Sequence, residues 1–216
     1  IHRLLFKATK HLRKKEPNLL ENDQTLFAAS RRIAAFSFCG QQASFIEDGK
    51  PSLYFREFKM RLEDKAPPGG WTLIILDPVS RLMGADAETD NAAATQFIAL
   101  LEELSIDLPG NPTILFAHHT NKSAIQAGSN QTQSAARGSS ALTDGVRWQC
   151  NYSKESSKDE SSENTSNVAV LKMTKSNFTA VLEGIRTTKD IDGFIEKISN
   201  NTQQKEKSRE PVGHRY

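Results

Sequence analysis

The sequence predicts an α/β fold: a mostly parallel sheet flanked by helices, with an antiparallel extension toward the C-terminus. Three observations carry that reading. Two apolar runs, "WTLIILD" (71–77) and "TILFAHH" (113–119), stop abruptly on polar residues, as strands buried on both faces do. Between them lies "DNAAATQFIALLEELSI" (90–106), with Phe97, Leu100, Leu101 and Leu104 at helical spacing. Strand, helix, strand in that order implies a parallel pair joined by a right-handed crossover. Further on, "VRWQCNY" (146–152) and "NVAVLKMTKSN" (167–177) read as strands, and "FTAVLEGI" (178–185) completes a hairpin with the second of them.

The remaining elements follow in chain order. Residues 1–15, "IHRLLFKATKHLRKK", set Leu4, Leu5, Ala8 and Leu12 in one stripe of a helix and Arg3, Lys7, Lys10 and Lys14 in a basic stripe beside it, with Pro17 and Asn18 ending it. That basic stripe reads as a solvated face that could also track a phosphate backbone. A second helix is expected at 22–31, a strand at 32–38 ("RIAAFSF") and a loop at 40–51. "SLYFREFKMRLEDK" (52–65) is a helix with Ser52 as its N-cap. "PPGG" (67–70) is a turn, and Asp90 or Asn91 caps the helix over 90–106. A polar loop covers 120–136 and a short helix 138–144. Residues 153–166, "SKESSKDESSENTS", form a mobile Ser-rich connection. One partial domain is expected over 1–186, with a polar, disordered tail over 187–216.

The totals restrict the classes. With 37% hydrophobic and 25% charged residues, the chain holds a core plus solvated segments and is not disordered throughout. A net charge of +2 is too small to argue for nucleic acid by itself. Cys39 and Cys150 are isolated, which excludes a disulfide framework and metal-ligand spacing and fits a reducing, cytoplasmic setting. No run reaches the ~18 apolar residues of a membrane span. The start at Ile1, without a Met and directly into a helical pattern, reads as a fragment.

Chemistry concentrates at the strand ends. Ligands of open parallel sheets sit beyond the carboxyl ends of the strands, where Asp77, His118 and His119 are placed. A carboxylate there can hold hydrated Mg²⁺ through its water shell; the competing reading is a carboxylate closing a loop and two satisfied edge histidines. A zinc site made by the histidine pair is disfavoured, because adjacent strand residues point to opposite faces. Arg137, among small residues in "SAARGSSALTD", suits bidentate phosphate binding, or is a solvated arginine. Lys172 and Lys175 in "KMTKSN" stand three apart, so regular alternation turns them to opposite faces. The phosphate-loop pattern G-x-x-x-x-G-K-[ST] does not occur; "SFIEDGKP" (44–51) lacks its first Gly and carries Pro51 where a hydroxyl is required.

Taken together, "LIILDPVSR", "TILFAHHTNK", "QSAARGSSALTDGVRWQ" and "LKMTKSN" resemble the RepA-type replicative helicases of broad-host-range plasmids, within the RecA-like AAA-family ATPases. The resemblance spans about residues 1–180. It implies a RecA-like P-loop NTPase core using ATP and Mg²⁺. Asp77 would be the Walker B acid holding Mg²⁺ through water, and His119, with His118 beside it, the polar sensor of the γ-phosphate. The loop 120–136, with Lys122, Gln126 and Asn130, would face DNA. Arg137 would be an arginine finger and Lys175 a second basic residue, both reaching the neighbouring subunit's nucleotide. Arg147 matches a position of the family without a role attached. The implied partners are single-stranded DNA and further copies of the chain in a hexameric ring. The family's Walker A loop and catalytic Glu strand precede the helix that starts this chain, so the resemblance implies an N-terminally truncated core, inactive alone. Two rivals remain: a recombination or regulatory DNA-binding ATPase, and a non-catalytic interaction module derived from the same fold.

Overall fold

The computed structural model describes residues 2–16, 28–84, 86–119, 140–155 and 167–198. They fall into two compact units, Ile1–Arg147 and Trp148–Tyr216.

The first unit is built around the parallel pair. Helix α1 runs His2–Lys15. Of the helix expected over 22–31, residues 28–31 are described; 28–30 are helical and Arg31 begins a turn. Residues 33–38 form no strand, which corrects the expectation for 32–38. The β-prone residues are there, but no described strand offers a ladder, and β structure exists only through a partner. Instead Phe36 and Phe38 pack edge-on against Phe58 at centroid distances of 6.5 and 5.9 Å.

The stretch expected as loop at 40–51 contains a small hairpin, β1 (Ile46–Glu47) and β2 (Lys50–Pro51), paired Ile46 to Pro51 and Glu47 to Lys50. Its two connecting residues, Asp48 (φ 49°) and Gly49 (φ 68°), both take positive φ. That is the Asp-Gly hairpin turn whose backbone twist matches that of the flanking strands. "SFIEDGKP" is therefore a hairpin, in agreement with its rejection as a phosphate loop. The Ser52 hydroxyl donates to the Ser44 carbonyl at 2.6 Å and accepts from the Phe55 N–H at 3.1 Å. One buried side chain thus closes the hairpin and caps helix α2, Leu53–Asp64.

Strands β3 (Leu73–Leu76) and β4 (Thr113–Phe116) are parallel, in the register Leu73–Thr113 to Leu76–Phe116. Helix α3, Asn91–Asp107, joins them, with the Asp90 carboxylate accepting from the Ala92 N–H. Phe97, Leu100, Leu101 and Leu104 are all buried, as their spacing required. The core gathers around Phe45, 0% exposed. Its ring lies 5.2 Å from Phe55, 5.3 Å from Phe58 and 6.1 Å from Phe97, centroid to centroid. Lys59 ties α2 to α3 through Glu103 and Asp107, each at 2.6 Å. Hydrogen bonds to Asp107 and then Glu103 hold its ammonium protonated above the usual lysine range.

Burial on both faces of the two apolar runs is not what the structure shows. Ile74 and Leu76 are buried, but Leu73, Ile75 (61% exposed) and Leu115 are open. The described helices cover one face of the pair.

Two turns cross where the strands begin. Gly70 (φ 77°) sits so close to Pro109 that a Cβ would fall 2.1 Å from its carbonyl, and the Trp71 N–H donates to that carbonyl oxygen at 2.7 Å. Gly70→Ala adds left-handed strain to a clash with backbone. It is expected to cost about 2–3 kcal/mol, read as a lowered denaturant midpoint at unchanged slope. Helix α4, Ser140–Gly145, ends this unit and buries Leu142.

The second unit is a four-stranded antiparallel sheet in chain order: β5 (Trp148–Lys154), β6 (Ala169–Ser176), β7 (Ile185–Lys189) and β8 (Ile195–Lys197). The expected hairpin partner of β6 is present but begins at Ile185; Phe178, placed in it from sequence, is 82% exposed. The polar stretch expected as a tail from 187 continues β7 and adds β8 as far as Lys197. A bidentate ion pair, Arg186 Nε and Nη2 on the Glu155 carboxylate at 2.9 and 2.6 Å, fastens β7 to the residue after β5. The connection expected to be mobile over 153–166 lies outside the described residues from 156 onward. No described helix is long and apolar enough to cross a membrane.

Candidate nucleotide-facing strand edge

The site begins with the way β3 and β4 end. The Ala117 N–H donates to the Leu76 carbonyl at 2.9 Å, and the Val79 N–H donates to the Ala117 carbonyl at 2.9 Å. These bonds carry the pairing one residue past the strands and hold Asp77 beside Ala117. Val79 is fully buried and starts a 3₁₀ turn, Val79–Arg81. That anchor fixes the chain directly behind the carboxylate.

Side-chain alternation separates the two histidines. On β4 and beyond, Ile114, Phe116 and His118 are half-buried, whereas Thr113, Leu115, Ala117 and His119 are exposed. On β3 the buried residues are Ile74 and Leu76, and Leu73, Ile75 and Asp77 are exposed. Asp77 and His119 therefore stand on the open side of the paired strands, and His118 turns to the core side. Among the described residues, Asp77 makes no side-chain hydrogen bond or ion pair. A single open carboxylate is a poor direct ligand set for Mg²⁺ but suits contact through the water that Mg²⁺ retains.

His118 Nδ1 lies 3.0 Å from the carbonyl oxygen of His119, so the Nδ1–H tautomer donates this bond. Its Nε2 is then a bare acceptor, buried with no hydrogen-bond partner among the described residues. His118→Asn keeps a donor at the Nδ1 position and exchanges the Nε2 acceptor for an amide oxygen nearer the backbone. It is expected to leave stability within about 1 kcal/mol in thermal melts, with little effect on any activity. His119→Ala, on the open side, is expected to leave stability within about 0.5 kcal/mol in the same melts; a larger loss would show that its ring packs against the core.

Lys175 lies in the second unit, half-buried on β6. A bulge changes what alternation implies there. Cys150 pairs with Met173, but the next residue back, Gln149, pairs with Lys175, so β6 carries one extra residue. Lys172 pairs with Asn151. Gln149 and Asn151 share a face, since the Gln149 amide donates to Asn151 Oδ1 at 3.0 Å. Lys172 and Lys175 consequently point to the same side, which corrects the expectation that three residues of separation divide them. The cost is visible at the bulge: the Thr174 hydroxyl oxygen is buried without a hydrogen-bond partner among the described residues.

Arg137 and the loop residues Lys122, Gln126 and Asn130 lie outside the described residues. Arg147 is exposed immediately before β5. Burial raises the pKa of the half-buried Cys150 thiol, which lowers its thiolate fraction. The residue that sequence reasoning missed is Phe45; the Asp48–Gly49 dipeptide three residues on was the signal that it enters a hairpin and not a loop.

A family described as "AAA domain" matches residues 42–124, the segment that carries Asp77, His118 and His119. The structure is similar to "ATPase Domain of G40P", with a TM-score of 0.53 and 15% identity over 68% of this chain and 51% of that one. It is also similar to "The Structure Of A DnaB-Like Replicative Helicase And Its Interactions With Primase", with a TM-score of 0.50 and 15% identity over 64% of this chain and 33% of that one. The chain thus spans about half the length of the first and a third of the second. The α/β fold, with its parallel pair β3–β4, is thus similar to the folds of these two structures.

Proposed function

We propose that this chain is part of an ATP-hydrolysing DNA motor, resembling the hexameric replicative helicases of plasmid or phage replication and, among them, the RepA type. The observation that carries the reading is that Asp77 and His119 both stand on the open side, just beyond the ends of two hydrogen-bonded parallel strands. Asp77 orients the hydrated Mg²⁺ of a bound nucleotide through water. His119, one strand away, relays the state of the γ-phosphate to the loop 120–136, whose Lys122, Gln126 and Asn130 meet single-stranded DNA. Arg137 and Lys175 reach the nucleotide of the adjacent subunit. Bound Mg²⁺ and the two cations supply the electrostatic stabilisation that phosphoryl transfer requires.

The Gly-rich phosphate cradle does not occur in these 216 residues, so they supply the carboxylate edge of the site and are inactive by themselves. The protein works in the cytoplasm as a ring. The test is ATP hydrolysis by the full-length gene product with and without single-stranded DNA, beside Arg137→Ala and rings mixed from both. A finger acting on the neighbour makes mixed rings lose activity more steeply than their mutant fraction. No hydrolysis from a folded, full-length protein would sink the motor and leave the non-catalytic interaction module.

A further inference from the structure

Helix α1 carries six Lys or Arg residues in HRLLFKATKHLRKK and no acid. Among the described helices it alone bears a single sign of charge in this number: α2 mixes Arg56, Glu57, Lys59, Arg61, Glu63 and Asp64, and α3 bears Glu102, Glu103 and Asp107. Three of its basic residues, Arg13, Lys14 and Lys15, lie in the last turn, where cations complement the negative end of the helix dipole. That account does not reach Lys7 and Lys10. Lys7, Lys10 and Lys14 follow at i, i+3 and i+7, one face of a helix. All three are exposed, and among the described residues none forms an ion pair. Like charges at these spacings repel and destabilise the helix. A stripe that repels itself, without acidic partners on the same helix, leaves its three ammonium groups open to an external anion.

We propose that the Lys7–Lys10–Lys14 face of α1 is a sequence-independent contact for a nucleic-acid backbone, separate from the loop 120–136. Lys7 and Lys14 are seven residues apart in α1, a rise of about 10 Å, so the three ammonium groups are spaced along the helix for one phosphate each. Lysine is a point charge on a flexible stem, and so binds phosphate without reading bases. The choice of nucleic acid over another polyanion rests on the motor reading above; the existence of an anion site on α1 does not.

The test is fluorescence anisotropy of a labelled single-stranded oligonucleotide, titrated with the 216-residue chain without nucleotide, between about 50 and about 200 mM salt. In Lys7→Gln/Lys10→Gln/Lys14→Gln the slope of log K against log salt is expected to fall by about 2, at about 0.7 for each phosphate no longer neutralised. The corresponding triple Lys→Arg variant keeps the slope, and far-UV circular dichroism shows the helix retained in both. An unchanged slope in the Gln variant overturns the proposal. So does failure of the unsubstituted chain to bind DNA, or stripe-dependent binding to anionic phospholipid vesicles while DNA binding stays intact. Stripe-dependent DNA binding by a protein whose full-length form hydrolyses no ATP supports the proposal and removes the motor. DNA-stimulated hydrolysis with an unchanged slope removes the proposal alone.

Discussion

Phe45→Ala is expected to cost about 3–5 kcal/mol, a large part of the roughly 5–15 kcal/mol that holds a domain folded. The reason is its position: its ring is fully buried and contacts Phe55, Phe58 and Phe97, which come from both core helices. Its backbone is fixed too, with its N–H donating to Leu82 and its carbonyl accepting from Ser52. The hairpin cannot slide to fill the void, so the cavity persists and its cost adds to the lost burial. Urea unfolding followed by Trp71, in a Trp148→Phe background, reads the first unit alone. Phe36→Ala at the exposed rim of the same aromatic cluster is the comparison and is expected to cost less than about 1 kcal/mol. A loss from Phe45→Ala no larger than that would show that the ring is not the centre of the core.

Asp77→Asn is the second large effect, and it falls on activity and not on stability. The substitution keeps the shape and removes one charge. Because the carboxylate is exposed and makes no hydrogen bond or ion pair among the described residues, stability should stay within about 0.5 kcal/mol. Phosphate release by the full-length gene product should fall about a hundredfold or more, the usual scale for losing a group that organises charge around a transferring phosphoryl. The pair of measurements separates two roles for this residue. A carboxylate that merely closes a loop would leave hydrolysis within about twofold; one that orients Mg²⁺ would not. Melting temperatures recorded on the same samples exclude unfolding as the cause.

What was legible in the sequence was local. Helix α3 shows its buried face in Phe97, Leu100, Leu101 and Leu104, because helical periodicity is a property of one segment and needs no partner. The Ser52 and Asp90 caps are legible for the same reason: each bonds a backbone N–H within three residues. The strand ends at Asp77 and His119 could be placed because apolar runs closed by polar residues mark where strands leave a core.

The tertiary structure decided what depends on distant partners. Residues 33–38 have strand composition, yet no described strand pairs with them, and ladder hydrogen bonds come from elsewhere in the chain. Which face of β3 is covered could not be read from "LIIL", since both faces are equally apolar and only the packing of α2 and α3 distinguishes them. His118 and His119 are chemically the same residue; the alternation inherited from β4 sends one to the core side and the other to the open side with Asp77. On β6, a single extra residue opposite Gln149 reverses the parity of the strand and brings Lys172 and Lys175 to one face. No spacing rule foresees that, because a bulge is set by the register of two strands and not by the sequence of either.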